Sequence, residues 1–152
     1  MAILLAGALT ACTPETTPDT TPSPTITSRS DQSAAEPTPA PEPTLVLDGA
    51  AADNLPLFTS VTAAVWESSE RVDGRAYVDA LTAAGFDKAA MQVTNDQTTV
   101  GNPAESIQFA VRWGEECLIG QVGPETGIPV TVVVPVLAEG TCLVGETRPI
   151  DW

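Results

Sequence analysis

The most regular alternation of apolar and polar residues lies within residues 106–145. Across 107–113 every second residue is large and apolar, which is the period-two pattern of a strand that is buried on one face. The glycine and two acids at 114–116 suit a tight turn, and 117–122 has the composition of a returning strand. The pattern therefore predicts a β-hairpin at the centre of the fold.

A second apolar stretch follows the hairpin and indicates further strands. Residues 130–134 are all β-branched, and Pro135 marks the end of that strand or an edge position. Gly140 then turns the chain into residues 141–144. The pattern Cys-Leu-Ile/Val-Gly occurs at 117–120 and again at 142–145, which predicts two strands with equivalent places in one sheet, each with a glycine where backbones approach closely.

Helical spacing of apolar residues appears upstream of these strands. Asp53, followed by Pro56 in the first turn, predicts the start of a helix that runs to about Ser69. Asp73 is a plausible cap for a second helix, and Gly85 is its C-terminal stop. Residues 88–94 alternate again, which predicts a first strand before the hairpin.

This order of elements predicts one α+β domain over residues 45–152. Two N-terminal helices would pack on an antiparallel sheet of three to five strands, because helices that precede a run of strands typically cover one face of the sheet. The order of the strands does not follow from the pattern.

The chain begins with an apolar stretch, residues 1–11, that is far shorter than the about 20 residues of a membrane-spanning helix. It fits the apolar core of a signal peptide, and Leu9-Thr10-Ala11-Cys12 resembles the lipobox of bacterial lipoproteins. The resemblance implies that Cys12 carries a lipid and anchors the protein to the membrane. No Lys or Arg precedes the stretch, so we expect a truncated leader whose start was placed too far downstream. The alternative is a leader with an incidental cysteine.

Residues 12–44 have the composition of a disordered tether. They contain eight prolines among Thr, Ser, Ala and acids, with Ile26 as the one large aliphatic residue. Such a segment buries too little apolar surface to offset the entropy cost of ordering, and it favours polyproline II conformation. At about 3.1 Å per residue, it would hold a domain up to about 100 Å from the membrane. Segments rich in Thr and Pro can also carry O-linked sugars on their hydroxyl groups, which is an alternative role for residues 12–44.

The remaining cysteines form a pair once Cys12 is assigned to the lipid. In an exported protein we expect Cys117 and Cys142 to form a disulfide. A loop of this size would stabilise the fold by about 3.5 kcal/mol in the chain-entropy estimate. A thiol redox role is the alternative, but redox cysteines are usually two residues apart beside a helix start.

The charge is strongly negative, at −14 for the whole chain. Residues 45–152 hold fifteen acids and five basic residues, a net charge of −10. Such a domain is repelled by nucleic-acid phosphates and by anionic lipid headgroups. We therefore expect no nucleic-acid partner, and membrane contact only through the lipid on Cys12.

Groups that commonly carry catalysis are scarce. The chain has no histidine, the usual general base and the commonest ligand of transition metals. It also has no glycine-rich phosphate loop. Glu115 and Glu116 beside Arg112 are one candidate acid/base pair, and we interpret them as a solvated hairpin tip. We expect no enzyme activity and no cofactor; a carboxylate-dependent hydrolase of cell-wall glycan, using such acids or Glu105 and Asp96, is the alternative.

Oxygen ligands for a metal ion are concentrated in one loop. Asn95, Asp96 and Glu105 would make a weak calcium site, but their spacing does not match an EF-hand loop. Asn and Asp also favour turns, and this interpretation is preferred for Asn95 and Asp96. The sequence therefore predicts no metal site.

Aromatic residues and the tail offer candidate contact surfaces. Trp66 lies in the first predicted helix and Trp113 ends a strand, so both are expected in the core or at its rim. The chain ends with Ile150, Asp151 and Trp152, although chain ends are usually polar. This ending predicts a tail that docks on the domain. The alternative is that Trp152, Ile150 and Trp113 form a surface for a partner.

As a whole the sequence resembles the small exported lipoproteins of high-GC Gram-positive bacteria (actinobacteria) that carry domains of unknown function. The resemblance rests on the Leu-Thr-Ala-Cys box, the Thr/Pro tether and four stretches of the domain, which are 78–86, 106–114, 117–120 and 142–145. The resemblance implies no catalytic residues in this chain.

The anchor, the tether and the lack of catalytic groups together point to a binding role. They favour a binding or scaffolding domain on the outer face of the cytoplasmic membrane, with an envelope protein or a cell-wall component as the partner.

Overall fold

A computed structural model of the chain describes residues 41–152. The predicted signal peptide at 1–11, the predicted lipidation site Cys12 and most of the predicted tether at 12–44 lie outside the described residues. Pro41 to Thr44 are exposed and have no regular structure. Leu45 is the first described residue that packs against the core.

The first helix, α1, spans Ala51–Trp66 and therefore begins and ends earlier than predicted. The cap position is Ala50, whose side chain makes no hydrogen bond; instead the carboxylate of Asp53, one turn further on, accepts the Ala50 N–H at 2.9 Å. The prediction of a helix start at Asp53 is wrong, because an acid at the third helical position and an acid at the cap give the same signal in a sequence. Pro56 consequently lies in the second turn, not the first.

A buried asparagine on α1 holds the chain that leads into the domain. Asn54 is fully buried, its Oδ1 accepts the Val46 N–H at 2.8 Å, and its Nδ2 donates to the Val46 carbonyl at 3.0 Å. A buried amide needs partners of this kind, because leaving it unpaired costs about 1–3 kcal/mol. The segment before α1 is thus held to the helix by two hydrogen bonds between the Asn54 side chain and the backbone N–H and carbonyl of Val46.

The second helix, α2, spans Gly74–Ala83 and confirms both predicted ends. The Asp73 carboxylate accepts the Arg75 N–H at 2.9 Å. At the other end Gly85 has φ +102°, and the Phe86 N–H bonds to the Leu81 carbonyl at 3.1 Å. This is a Schellman cap, which requires the left-handed conformation that glycine adopts without strain.

Four strands form one antiparallel sheet in sequence order, so the predicted α+β class is confirmed. The strands are β1 (Met91–Val93), β2 (Ile107–Trp113), β3 (Glu116–Val122) and β4 (Val130–Pro135). The predicted hairpin is β2–β3, with Gly114 at φ +64° in its turn. The predicted first strand is wrong over its first half, because Asp87 caps a one-turn 3₁₀ helix at Lys88–Ala90.

The two helices cover one face of the sheet and enclose the main core. Helix α1 lies over β3 and β4, and α2 lies over β1 and β2. The rings of Tyr77 and Phe109 stack with centroids 4.5 Å apart, and Phe58 packs against both Phe109 and Phe86. These four aromatic side chains are buried, and together they join both helices to strand β2.

The second face of the sheet is also covered, which corrects the prediction of a strand at 141–144. That segment has bends but no strand pairing, and it crosses the face of the sheet that lies opposite the helices. The backbone N–H groups of Cys142 and Leu143 donate to Oε1 of Gln92 on β1, at 2.6 and 3.2 Å. The predicted disulfide between Cys117 and Cys142 is present and joins the segment to β3. Ala110 of β2 packs against this segment and is therefore buried.

Candidate binding surface

Three cationic side chains converge on the indole ring of Trp152. Arg75, Lys88 and Arg148 place their charged groups 5.1 to 5.2 Å from the ring centroid, within the range of cation–π attraction. The indole Nε1 donates to Oδ1 of Asp79 at 2.9 Å, and Lys88 donates to the backbone oxygen of Trp152. These five residues are called the Trp152 cluster below.

The cluster is assembled from three separate parts of the chain. Arg75 and Asp79 lie one turn apart on α2 and form an ion pair at 3.2 Å, whereas Lys88 belongs to the 3₁₀ turn that follows. The tail brings Arg148 and Trp152, and the Arg148 N–H bonds to the Val93 carbonyl at 2.9 Å. The predicted docking of the tail is thereby confirmed, and Ile150 packs against the core beside it.

Arg148 fastens the tail to the start of α2. Its Nη2 lies 2.8 Å from Oδ2 of Asp96 and 3.8 Å from Oδ1 of Asp73. The 2.8 Å contact is an ion pair without hydrogen-bond alignment, because neither Nε nor Nη2 has an aligned acceptor among the described residues. Asp96 also accepts the Gly74 N–H at 2.8 Å, so one carboxylate holds both the tail and the first turn of α2.

The surroundings of Asp79 favour the charged form of its carboxyl group. Desolvation raises the pKa of this group, but the hydrogen bonds from Trp152 and Arg75 and the charges of Arg75 and Lys88 outweigh it. The pKa of Asp79 is therefore below its ordinary value. Because about half of the Asp79 side chain is exposed, the gain in stability is modest.

An apolar groove of about 640 Å³ runs between α1 and α2 beside the Trp152 cluster. Its apolar lining comes from Val61, Ala64 and Val65 on α1 and from Ala76, Ala80 and Ala83 on α2. Its polar rim consists of Ser68, Glu70, Asp73, Arg75 and Asp79. Arg75 and Asp79 thus belong both to the rim and to the Trp152 cluster. The apolar groove between α1 and α2, with this rim, is called the interhelical groove below.

The groove and the cluster together offer apolar contact and a rim of mixed charge, on which Arg75 lies among three carboxylates, those of Glu70, Asp73 and Asp79. Three of the five basic residues of the domain belong to the Trp152 cluster, and each of them is paired with an aspartate. Arg75 has 55% of its side chain exposed, and only its Nε donates to Asp79. Its terminal nitrogens are therefore accessible to a carboxylate, which arginine binds through two parallel hydrogen bonds.

Of the surface residues predicted from the sequence, only Trp152 lies in this cluster. Trp113 instead packs edge-on against Phe86, with centroids 6.1 Å apart, and its Nε1 donates to the Gly49 carbonyl at 2.7 Å. The proposed surface of Trp152, Ile150 and Trp113 remains a prediction. The other four residues of the Trp152 cluster, Arg75, Asp79, Lys88 and Arg148, were not predicted from the sequence, in which the i, i+4 spacing of Arg75 and Asp79 was the available signal.

The acids considered for catalysis have structural contacts or lie in solvent. Glu115 is 94% exposed at the hairpin turn and lies 3.7 Å from Arg112, and Glu116 opens strand β3. Glu105 is exposed, and Asp96 is engaged by Arg148 and Gly74. Within residues 41–152 no group of three or more Cys, Asp or Glu side chains is arranged to hold a metal ion. No helix in this part of the chain is long and apolar enough to cross a membrane.

Comparison with known proteins identifies one family. The family model described as a domain of unknown function (DUF6993) matches residues 62–146. The matched segment includes the end of α1, all of α2 and the four strands, and both cysteines of the disulfide. A search of curated proteins found no match. A search of solved structures also found none.

Proposed function

The chain belongs to the family of the domain of unknown function DUF6993, and from its interhelical groove together with the predicted anchor and tether we propose that it is a binding domain of the cell envelope. The lipid on Cys12 anchors it to the outer face of the cytoplasmic membrane, and the tether at 12–44 carries the domain away from the bilayer. The domain binds an envelope protein and has no catalytic role of its own.

The interhelical groove is the observation that carries this proposal. Its lining is apolar, its volume of about 640 Å³ is in the range of ligand sites, and its rim is polar. Two helices that leave an apolar groove between them commonly receive the apolar side chains of a third segment. The groove therefore fits a polypeptide better than it fits a glycan, whose hydroxyl groups require many polar partners.

The charged residues on the rim of the interhelical groove restrict which side chains the bound segment can carry. Arg75, whose terminal nitrogens are exposed, is the basic residue of a rim that also carries Glu70, Asp73 and Asp79. A carboxylate beside the apolar side chains of the bound segment would pair with Arg75. We accordingly assign the groove to a segment of an envelope protein that combines apolar side chains with one acidic residue, placed at Arg75 and away from Glu70 and Asp73, which would repel it.

Site-specific photo-crosslinking in cells tests this function. A photoreactive residue replaces Ala80 inside the groove in one strain, and Val144, which is 80% exposed in the segment on the opposite face of the sheet, in a control strain. We expect one envelope protein to be captured from position 80 and not from position 144. The soluble Cys12→Ser form should capture less of it, because the anchor keeps both proteins at the same surface.

The captured protein must then bind the purified full chain directly. Arg75→Gln should weaken that binding by about tenfold, the size expected for a charged hydrogen-bonded pair. Arg71→Gln is the matched control, since Arg71 packs over Trp66 and not on the groove rim. Equal capture from positions 80 and 144, or equal binding by the two arginine variants, would contradict the proposal.

A further inference from the structure

The outer edge of the sheet at β4 presents backbone groups that have no partner among the described residues. The Val136 N–H donates to the Glu115 carbonyl at 3.0 Å, which places the backbone groups of Val136 on the β3 side. Because these groups alternate in direction along a strand, those of Val134, Val132 and Val130 also face β3. The groups of Thr131 and Val133 therefore point outwards.

Prolines limit this edge at both ends. The next outward positions on either side are Pro129 and Pro135, which have no N–H to donate. The sequence Pro-Val-Thr-Val-Val-Val-Pro is nearly symmetric about Val132. A second strand can thus pair with the outward groups of Thr131 and Val133 without leaving an N–H of this edge unpaired.

The side chains and charges at this edge suit a neutral apolar partner. Val130 and Val132 point away from the helices and are 50% and 40% exposed, and Ile128 just before them is 80% exposed. Residues 126–138 carry no charge, although the domain has fifteen acids. Elsewhere two copies of so acidic a domain repel each other, whereas this uncharged strip allows close approach.

We propose that β4 is a self-association surface, on which two copies of the chain pair antiparallel about a twofold axis at Val132. Thr131 then lies opposite Val133 of the second copy and exchanges two hydrogen bonds with it, and the symmetric pair adds two more. Val132 lies against its own counterpart, and each Val130 meets Val134 of the other copy. The two sheets join into one sheet of eight strands.

The interface is small, and its strength depends on where the protein works. A single pair of strands buries much less than the about 1,600 Å² of a typical stable complex. Association is therefore weak in dilute solution. On a membrane surface, as the proposed function requires, anchoring raises the effective concentration of each copy for the other. The edge itself does not depend on that function and is tested in solution.

Two measurements on the full-length Cys12→Ser chain test the proposal. Sedimentation equilibrium up to about 1 mM should show the mass of this chain rising towards twice the monomer mass, which corresponds to a weak complex. Val132→Lys should abolish the rise, because it places two like charges on the axis. Val100→Lys, at an 80% exposed loop position, should not change it.

Disulfide trapping tests the register. Val132→Cys brings two thiols face to face at the twofold axis, at a Cα separation of about 4.5 Å that permits a disulfide. With oxidised glutathione as the oxidant, we expect covalent dimers of this variant in clear excess over those of Val100→Cys. Circular dichroism must show that each variant is folded.

The outcomes that overturn the proposal are specific. A constant monomer mass at all concentrations overturns it whatever the trapping yields. Association without preferential trapping through Val132→Cys places the contact elsewhere and also overturns it.

Discussion

Gly120 on β3 lies directly opposite Phe109 on β2, and the Phe109 ring occupies the space that a side chain at position 120 would need. A Cβ atom added to Gly120 would meet ring atoms closer than 3.0 Å, a distance that real Cβ atoms essentially never show. The ring is fully buried, stacks on Tyr77 and packs at a tilt against Phe58, so it has no room to move aside.

Gly120→Ala should therefore lower the free energy of unfolding by about 1–3 kcal/mol, as overpacking of a buried site typically does. Urea unfolding measures this loss. If the clash with the Phe109 ring is the cause, Gly120→Ala should lower the free energy of unfolding by less when Phe109 is also replaced by leucine.

The equivalent change in the second copy of the motif has a different physical origin. Gly145 has φ +99°, and no atom lies within 4 Å of the place that a Cβ would take, so Gly145→Ala should cost about 1 kcal/mol through backbone strain alone. Phe109→Leu should leave that cost unchanged. Equal sensitivity of both alanine variants to Phe109 would refute the assignment of two separate causes.

The disulfide should supply a large part of the stability of the domain. Replacing both Cys117 and Cys142 by alanine should lower the free energy of unfolding by about 3.5 kcal/mol, the chain-entropy value for their separation. Both cysteines are buried, so mild reductant should leave the native bond intact, and only reduction under unfolding conditions should destabilise the wild type. The double variant is the control, because reductant should not affect it. Ready reduction of the native protein would instead favour the redox alternative.

Tyr77 should make the domain sensitive to alkaline pH. Burial raises the pKa of Tyr77 to about 12, although the charge of Arg71 lowers it in part. The unfolded chain ionises this group near pH 10, so the stabilising contribution is complete below pH 10 and is lost as pH rises towards 12. The loss should be about 3 kcal/mol in total.

Unfolding in urea at a series of pH values from 8 to 12 measures this effect, with about four points per pH unit. Tyr77→Phe keeps the stacked ring and removes the ionisable group, so its stability should fall less over the same range. Parallel curves for the wild type and Tyr77→Phe would show that other groups cause the alkaline loss.

Acid should loosen the tail through Asp79. The pKa of this carboxyl group lies below its ordinary value, so the stability it contributes is present above that ordinary value and is lost as pH falls through the folded pKa. Protonation removes the ion pairs with Arg75 and Lys88 and weakens the hydrogen bond from Trp152. Acrylamide quenching of tryptophan fluorescence should therefore increase at acid pH, before the domain unfolds.

Two variants separate the tail from the other tryptophans. Trp152→Phe should lack the acid step, because Trp66 and Trp113 are held by other contacts. Asp79→Asn keeps an oxygen that accepts from the indole but cannot titrate, so its quenching should not change with pH over the same range. An unaltered acid step in Asp79→Asn would assign the step to a different group.

Much of the local structure could be predicted from the sequence because it rests on contacts between near neighbours. The period-two pattern at 107–122 identified the hairpin, and Asp73 and Gly85 identified both ends of α2. The pairing of Cys117 with Cys142 followed from the count of cysteines and the expected export. The first two signals involve only a strand's own alternation and a helix's own caps, whereas the disulfide was predicted by counting the cysteines that remain once Cys12 is assigned to the lipid.

Other features were decided only when distant parts of the chain came together. The two Cys-Leu-Ile/Val-Gly copies look alike, but the first is part of strand β3 and the second is a bent segment on the face of the sheet opposite the helices. The second copy lies there because its backbone N–H bonds to Gln92 and its cysteine forms a disulfide with Cys117. The Trp152 cluster joins α2, a 3₁₀ turn and the tail, and the interhelical groove exists only because α1 and α2 lie side by side. Periodicity reports which residues are buried, whereas the partner that buries them is set by packing across the whole fold.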